Sequence, residues 1–323
     1  MITKKYYKLV RVSYSDSEYF RVTNISNEAG EFSIKNYSSG TMEYSLDGIT
    51  WNSYDLSTKP TVQVNPSSNI YLRGTGFTNT ISNDPVIDFN KNYTIGGNFM
   101  SLSNYATMDS VSIINSSNYI LYAFNNQTNL VSAGDMNFGI ITRIETSGCY
   151  NMFQGCTSLT TAPDMSSVTS IEGCRNMFKG CTSLTTAPDL SNVTLIEYQS
   201  CDSMFQGCTS LTTVPDLSSL TTVYSSGCNN MFRGCTSLTT APDLSSLTSV
   251  YSSSCSNMFN GCTNLSSVTA PNIDTWNTSN FSNWLLSAGT QATGTKTFYK
   301  PTNLTIPTDN NSGVPSGWTV ENY

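Results

Sequence analysis

The sequence predicts a mixed, mainly β fold: a small N-terminal β-sandwich, then a solenoid of repeated rungs, then a C-terminal cap. Three observations predict it. A unit of the form Cys-x2-Met-Phe-x-Gly-Cys-Thr-(Ser/Asn)-Leu occurs five times between Cys149 and Cys262. The first 90 residues instead carry short apolar stretches separated by polar turns. At 323 residues the chain is too long for one small core, so two or three regions are expected.

The N-terminal region, residues 1–90, has no repeats and its apolar stretches have the length of short strands. Asp47-Gly48 between Met42–Leu46 and Ile49–Trp51 is a strong hairpin signal. Several short strands with polar turns indicate a small sandwich. The predicted strands are Tyr6–Val12, Tyr19–Val22, Glu31–Lys35, Met42–Leu46, Thr61–Val64 and Ile70–Arg73.

The repeats have a nearly constant period. Successive first cysteines lie 25, 27, 27 and 27 residues apart, which is in the range of leucine-rich solenoids. One such unit cannot bury its own apolar face, and stacking at about 4.8 Å per strand buries it against the neighbouring units. Phe124 and Leu130 repeat the Phe-x5-Leu spacing of Phe153 and Leu159, so we predict a cysteine-free first rung and six rungs in all.

Each of the ten cysteines belongs to a repeat unit. The first unit begins at Cys149 and ends at Cys156, and its apolar residues fall at i, i+3, i+4 and i+7, the apolar stripe of a short helix. On a helix the two sulfurs of one unit lie roughly 10 Å apart, too far for a disulfide. We therefore expect free, buried thiols that pack as small hydrophobes. Zinc is the alternative, but Cys-x6-Cys is not a zinc-ligand spacing and the chain has no histidine.

The sequence after the second cysteine predicts a short strand that ends at a proline and is followed by a turn. Its leucines should point inward, and the aspartate after the proline should cap backbone amides. Calcium bound between these aspartates is the alternative. A row of threonines should point outward, and a flat threonine row superficially suggests an ice-binding face. The aspartates are Asp164, Asp189, Asp216 and Asp243, and the threonines are Thr160, Thr185, Thr212 and Thr239.

The positions that vary between rungs are where ligand specificity would be encoded. They include one position in each cysteine unit and the segments before each first cysteine, which we expect to face solvent. A column of tyrosines on a serine-rich edge would stack on sugar rings, and ordinary half-exposed tyrosines are the alternative. The candidate ligand-facing residues are Lys179, Arg233, Glu197, Tyr198, Tyr224 and Tyr251.

The pattern divides the chain into four segments. Residues 1–90 are predicted to be a β domain for docking or anchoring, and residues 91–119 a connector and N-cap. The solenoid occupies residues 120–270, and residues 271–323 form the C-terminal cap. Trp276, Trp284 and Trp318 suit a cap, because the exposed end of a solenoid must be covered.

Composition excludes several classes of function. Only 11% of residues are charged, the formal net charge is −7, and the 15 Lys and Arg residues are scattered, so no nucleic-acid partner is expected. Without histidine, His-based triads and His metal sites are impossible. The carboxylates near the repeats recur in register, whereas catalysis needs a unique pair with separated pKa values. We expect no enzyme activity, no catalytic residues, no cofactor and no metal.

The N-terminal stretch is basic but lacks an apolar run of signal-peptide length, and no segment approaches membrane-spanning length. The expectation is a protein made in a cytoplasm, without membrane insertion, that leaves by lysis or a non-standard route.

The run Met-Phe-x-Gly-Cys-Thr-Ser-Leu-Thr-Thr-Ala-Pro-Asp resembles the BspA-type leucine-rich repeats of Bacteroidales surface proteins and of their phages. The chain departs from the usual pattern in having Asp-Leu-Ser-Ser-(Leu/Val)-Thr where many relatives have Leu-Pro-Ala-Thr-Thr-Leu. The resemblance supplies no catalytic residues. It extends to flanking segments at Tyr44–Trp51, Ile70–Gly74, Gly96–Leu102, Thr297–Lys300 and Gly313–Val320.

The resemblance implies one of two non-enzymatic functions. The first is a phage virion surface component, namely a fibre, receptor-binding or capsid-associated protein. Its N-terminal domain would contact other virion proteins, and its solenoid would attach to a host-surface glycan or protein. The second is a bacterial cell-surface adhesin that binds glycans or host proteins. The expected location is the virion in the first case and the bacterial surface in the second, and a homo-oligomer is possible in both.

Overall fold

The computed structural model describes residues 19–35, 40–75, 86–98, 113–114, 122–138 and 141–323. These residues form a mainly β structure without α-helices. The strands are β1 (Phe20–Asn24), β2 (Gly30–Ile34), β3 (Thr41–Ser45), β4 (Asn52–Ser53), β5 (Val62–Val64), β6 (Asn69–Thr75), β7 (Ile87–Phe89), β8 (Tyr93–Asn98), β9 (Ile113–Ile114), β10 (Leu130–Asn137), β11 (Arg143–Ile144), β12 (Ser170–Ile171), β13 (Leu195–Ile196), β14 (Thr222–Val223), β15 (Thr240–Asp243), β16 (Ser249–Val250), β17 (Ser267–Thr269), β18 (Thr297–Lys300) and β19 (Thr319–Asn322).

Two sheets contain the strands of the N-terminal region, and one of them also takes in β8 and β10 from beyond residue 90. One has six strands in the order β10-β8-β1-β6-β3-β4, and the other has three in the order β5-β2-β7. Apolar residues such as Phe20, Val22 and Phe32 are fully buried because alternate strand positions face the core. The strands predicted from Tyr19 to Arg73 correspond to β1, β2, β3, β5 and β6. The strand predicted at Tyr6–Val12 lies outside the described residues.

The hairpin predicted at Asp47-Gly48 is present, but its loop is longer than predicted. Strand β3 pairs with β4, with Glu43 opposite Ser53, so the second arm begins at Asn52 and not at Ile49. The Asp47 carboxylate accepts backbone N–H groups from Ile49 and Thr50 at 2.8 and 2.7 Å. These hydrogen bonds lower the pKa of Asp47 and hold the wider loop in place.

The repeats stack in parallel along an inner sheet in the order β16-β14-β13-β12-β11-β9. Each rung contributes two residues, and the second one points into the core. Ile171 pairs with Ile196, and Ile196 pairs with Val223. All three side chains are buried. The expectation that the segments before each first cysteine face solvent is therefore wrong for these residues, because the same segments supply the inner sheet.

The cysteine units are not helical, which corrects the predicted helical turn in each rung. Between Cys149 and Cys156 the backbone N–H groups alternate between two kinds of hydrogen bond. The N–H of Met152 bonds to the carbonyl of Cys149 three residues back, whereas the N–H of Phe153 bonds to the carbonyl of Met177 in the next rung. An α-helix would bond every amide within its own segment. The unit is a series of tight turns that is hydrogen-bonded to the neighbouring rungs.

Left-handed residues every four positions produce this geometry. In the first unit Ser147, Asn151 and Gly155 have φ values of 64°, 56° and 74°. A right-handed helix cannot continue through such residues, and asparagine and glycine adopt this conformation at the lowest cost. The apolar spacing of i, i+3, i+4 and i+7 therefore belongs to a turn that advances four residues at a time.

The strand predicted after the second cysteine is shorter than expected in most rungs. In the first rungs this segment forms only single parallel β-bridges to the neighbouring rung. Thr161 bridges to Thr186, and Thr186 bridges to Thr213. A strand of four residues forms only at β15, which pairs with β17 in a sheet of order β15-β17-β18-β19. The prediction that the leucines of this segment point inward is confirmed, because Leu159, Leu184, Leu211, Leu238 and Leu265 are all fully buried.

A column of phenylalanine rings runs along the core. Neighbouring ring centroids are 5.2 to 5.7 Å apart and the rings are tilted by 7° or less. The column begins at Phe124, in the rung that has no cysteines. It ends at Phe259, whose ring contacts the ring of Trp284 at an angle of 60°. Trp276 stacks on Phe281 beyond it, so an aromatic cluster covers that end of the core. The rings of the column are Phe124, Phe153, Phe178, Phe205, Phe232 and Phe259.

The prediction of free, buried thiols is confirmed for all ten cysteines. The second cysteine of each unit also makes a hydrogen bond that the sequence did not suggest. The thiol of Cys208 donates to the carbonyl of Phe178 in the preceding rung at 3.1 Å, and Cys181 does the same to Phe153. Burial raises the pKa of Cys208 to about 12. The cysteines therefore link successive rungs as neutral groups.

A substitution at Gly207 measures the free-energy cost of a positive φ without a steric clash from the added side chain. Its φ is +76°, but a Cβ atom there would meet only Gly180, at 3.9 Å, which is an ordinary contact. We expect Gly207→Ala to lower the free energy of unfolding by about 1–2 kcal/mol, the usual cost of a left-handed Cβ residue. Gly207→Asn should cost less, because asparagine fills the left-handed positions at Asn176 and Asn230. Denaturant titration of both variants tests this, and equal losses would contradict it.

Candidate functional site

The register of the inner sheet aligns one outward-facing residue from each rung into a single column. Ile196 pairs with Val223 and Val223 pairs with Val250, so the residues that follow them also align. These are Glu197, Tyr224 and Tyr251, three of the candidates chosen from the sequence. The same register adds two residues that the sequence analysis did not select. The complete column, which we call the edge column, is Glu145, Glu172, Glu197, Tyr224 and Tyr251.

The first half of the edge column is acidic and partly neutralised. The guanidinium of Arg143 lies between the carboxylates of Glu145 and Glu172, and its Nε is 3.8 Å from Glu145 Oε1. Glu197 comes next, with its N–H donating to the Ile171 carbonyl at 3.2 Å. Within the described residues Glu197 has no ion-pair partner, so an unpaired carboxylate stands just before the tyrosines.

The second half of the edge column is a stacked tyrosine pair. The rings of Tyr224 and Tyr251 lie 4.8 Å apart at an angle of 19°. Tyr251 is 46% exposed and Tyr224 is half-buried, so only the terminal ring presents a large surface. Tyr198, next to the column, is 64% exposed.

The two basic candidates lie in a different column. Lys179 and Arg233 occupy the position before the left-handed glycine of each cysteine unit, and their carbonyls accept N–H groups from Gly155 and Gly207 in the preceding rungs. Lys179 is half-buried and Arg233 is exposed. The structure therefore groups Glu197, Tyr224 and Tyr251 but does not bring the cations to them.

A cleft of about 420 Å³ opens at the last residue of the edge column. Strand β16 is the final strand of the inner sheet, so no further rung covers Tyr251 in this sheet. No periodic signal in the sequence marks the cleft, because it forms where the chain leaves the repeat path after β17. One wall consists of Thr248, Ser249, Val250 and Tyr251, and the other of Ile273, Asp274, Thr275, Asn277 and Asn280.

The threonine row predicted to point outward is exposed, and the adjacent threonines are exposed as well. Several of its hydroxyls are already used as donors. Thr160 Oγ1 donates to the Val131 carbonyl at 2.9 Å, and Thr212 Oγ1 to the Thr185 carbonyl at 3.2 Å. A groove of about 320 Å³ at the far end of this face is lined by small side chains such as Ser237, Thr239 and Asn264. These hydroxyls strengthen the contact between rungs.

The aspartates that follow the prolines cap turns, as predicted. The carboxylate of Asp216 accepts the N–H of Ser218 at 2.8 Å, and this hydrogen bond lowers the pKa of Asp216. The same bond occurs at the equivalent aspartates Asp164, Asp189 and Asp243. Across the described ranges, no three acidic or cysteine side chains come together as metal ligands. No helix in those ranges has the length and apolarity needed to cross a bilayer.

Comparisons with known proteins characterise the repeats. The family model described as "Mycoplasma protein of unknown function, DUF285" matches residues 146–270 and also residues 226–287. The two matches lie within the repeats and the start of the cap, and together they span less than half of the chain. They support a repeat protein of the BspA-like surface type. Neither a Bacteroidales source nor a phage source follows from them.

No curated protein matches the chain. Among solved structures, the chain is similar to a leucine-rich cell surface protein from Faecalibacterium prausnitzii A2-165. The sequence identity is 15%, the similarity covers 66% of this chain and 77% of that one, and the TM-score is 0.19. A TM-score of this size does not establish that the two chains share an overall arrangement.

Proposed function

We propose that the protein is a non-enzymatic bacterial cell-surface adhesin that binds glycans or host proteins through its stacked repeats. The observation that carries the proposal is the resemblance of the repeats to BspA-type surface repeats, supported by the match of residues 146–270 and 226–287 to the family described as a Mycoplasma protein of unknown function. The other expectation from the sequence, a component of a phage virion, has no support in these comparisons.

The surface of the rungs suits adhesion. A solenoid repeats the same outward positions at a fixed spacing and so offers an extended face to a large partner. The edge column places carboxylates and tyrosines at consecutive rungs. Its aromatic residues combine an apolar ring with a polar hydroxyl, the type of residue enriched at protein interfaces.

The N-terminal region is proposed to be the anchoring part. We propose that residues 1–90 form a small β-sandwich that docks to another surface protein and leaves the rungs exposed. Strand β10 links the two parts, since it pairs with β8 of the six-stranded sheet and Ser132 bridges to Thr161 of the next rung. Docking at one end would orient the column of rungs away from the cell.

Surface exposure and adhesion can be measured separately. Antibodies against the full chain should stain intact producing cells, and external protease should remove the signal. The purified full chain should bind cultured epithelial cells saturably, with heat-unfolded chain as the control. Confinement of the protein to the cytosolic fraction, together with no saturable binding, would overturn the proposal.

A further inference from the structure

The edge column ends at an open cleft on the surface. Along the column each residue is covered by the equivalent residue of the next rung, as Tyr224 is by Tyr251. Beyond β16 the described residues add no strand to the inner sheet, and the segment from Ile273 to Asn280 forms the other wall of a cleft there. The cleft of about 420 Å³ therefore lies where the next side chain of the column would stand. This volume falls within the roughly 300–1,000 Å³ of small-ligand sites.

We propose that this cleft binds an uncharged sugar residue of a glycan, with Tyr251 as the stacking platform. The proposal specifies the ligand class and the site of the proposed adhesin, and it rests on that function.

Tyr251 is held in position before any ligand arrives. Its ring stacks on Tyr224 at 4.8 Å, and its N–H donates to the Val223 carbonyl at 3.1 Å. It is nevertheless 46% exposed and lines the cleft. A tyrosine ring offers an apolar face to the C–H groups of a pyranose and a hydroxyl to its polar edge. Because the ring is already ordered, binding costs little side-chain entropy.

The opposite wall supplies groups that hydrogen-bond to sugar hydroxyls. Asn277 Oδ1 accepts the N–H and the hydroxyl of Ser279 at 3.0 and 2.8 Å, which orients the amide and leaves its Nδ2 as the donor for a ligand. Asp274 is exposed on this wall and forms no ion pair among the described residues. A carboxylate beside an amide can accept and donate hydrogen bonds to adjacent hydroxyl groups.

Two observations disfavour other ligands. Asn280 Nδ2 donates to the Val250 carbonyl at 3.3 Å, so this acceptor on the edge of β16 is occupied, and a peptide strand would have to displace it. None of the described residues that line the cleft is a lysine or arginine, and Asp274 is on its wall. An acidic sugar would meet like charge without a cation, so a neutral sugar is favoured.

The test uses the purified full chain on an array of neutral and sialylated oligosaccharides, followed by isothermal titration with the strongest neutral one. We expect neutral oligosaccharides to bind and Tyr251→Ala to weaken binding at least tenfold. Asp274→Asn should weaken it less, because the amide keeps one acceptor oxygen. Tyr323→Ala is the matched control, because Tyr323 is 44% exposed, a fraction similar to that of Tyr251, but does not line the cleft, and it should leave affinity unchanged. Thermal unfolding of each variant verifies that it folds.

The outcomes separate this inference from the proposed function. If the chain adheres to cells and Tyr251→Ala abolishes adhesion, both the sugar site and the adhesin function are supported. If the chain adheres equally well to enzymatically deglycosylated cells, or if Tyr251→Ala binds like the wild type, the proposed sugar site is wrong. The proposed adhesin function is unaffected by either result. If neutral oligosaccharides bind to the chain but the chain does not bind to cells, the proposed adhesin function is wrong and the sugar site is supported. Binding of sialylated oligosaccharides alone would overturn the sugar class, and binding to neither oligosaccharides nor cells would overturn both.

Discussion

Replacing Phe205 by alanine is expected to lower the free energy of unfolding by about 3–5 kcal/mol, the usual cost of removing a buried phenylalanine side chain. Phe205 is fully buried in the middle of the ring column, 5.5 Å from both Phe178 and Phe232. In a stack of rungs each unit contacts only its neighbours, so one cavity weakens the two interfaces on either side of it. Guanidinium titration followed by circular dichroism measures the loss.

Two control variants test whether the loss comes from the missing ring and not from any substitution in that rung. Phe205→Leu keeps most of the apolar volume and should cost clearly less than the alanine substitution. Thr212→Ala lies in the same rung but is exposed and loses only one hydrogen bond, to the Thr185 carbonyl, so about 1 kcal/mol is expected. A loss at Phe205→Ala no larger than that at Thr212→Ala would show that the ring column does not support the rungs.

The sequence predicted the repeats well because their period is fixed by packing. Residues that recur in every rung, such as Leu159 and Cys156, are buried, and a regular stack requires the same side chain at the same depth each time. The helix prediction failed because the apolar spacing of a helix and of this turn series is the same. The distinguishing signal was present in the pairs Asn151/Gly155 and Asn230/Gly234. Two residues that tolerate positive φ stand four apart, a spacing that interrupts a helix at each turn.

The candidate site was only partly predictable. The equivalence of Tyr224 and Tyr251 follows from the repeat alignment, and the structure shows their rings stacked. Glu145 and Glu172 join the same column only through strand register, which the sequence analysis did not assign. The cleft depends on where the chain leaves the repeat path. Its far wall, which includes Asp274, comes from a segment without the cysteine unit, so no periodic signal marks it.

Raising the pH above 9 is expected to destabilise the protein because of its cysteine columns. Burial raises the pKa of the Cys156, Cys208, Cys255 and Cys262 thiols from 9.0 to about 12. Burial and neighbouring thiols also raise the pKa of four other cysteines, and in Cys174 a hydrogen bond with Cys149, followed by burial, raises it. The native state therefore keeps protons that the unfolded chain releases, so this stabilisation is complete below pH 9 and is lost as the pH rises toward 12.

The size of the effect follows from the number of thiols. Each of the four thiols with a pKa of about 12 contributes about 1.4 kcal/mol per pH unit above 9, so these four together remove roughly 6 kcal/mol by pH 10. This loss lies within the range of the whole stability of a typical domain, about 5–15 kcal/mol. Urea titrations at pH 7, 8, 9 and 10 with a reductant present should show constant stability to pH 8 and a steep fall above 9. In the double variant Cys208→Ala/Cys262→Ala, the fall should be shallower by about 3 kcal/mol per pH unit, because two of these thiols are absent. Equal stability at pH 8 and pH 10 would mean that the thiols do not stay neutral in the folded core.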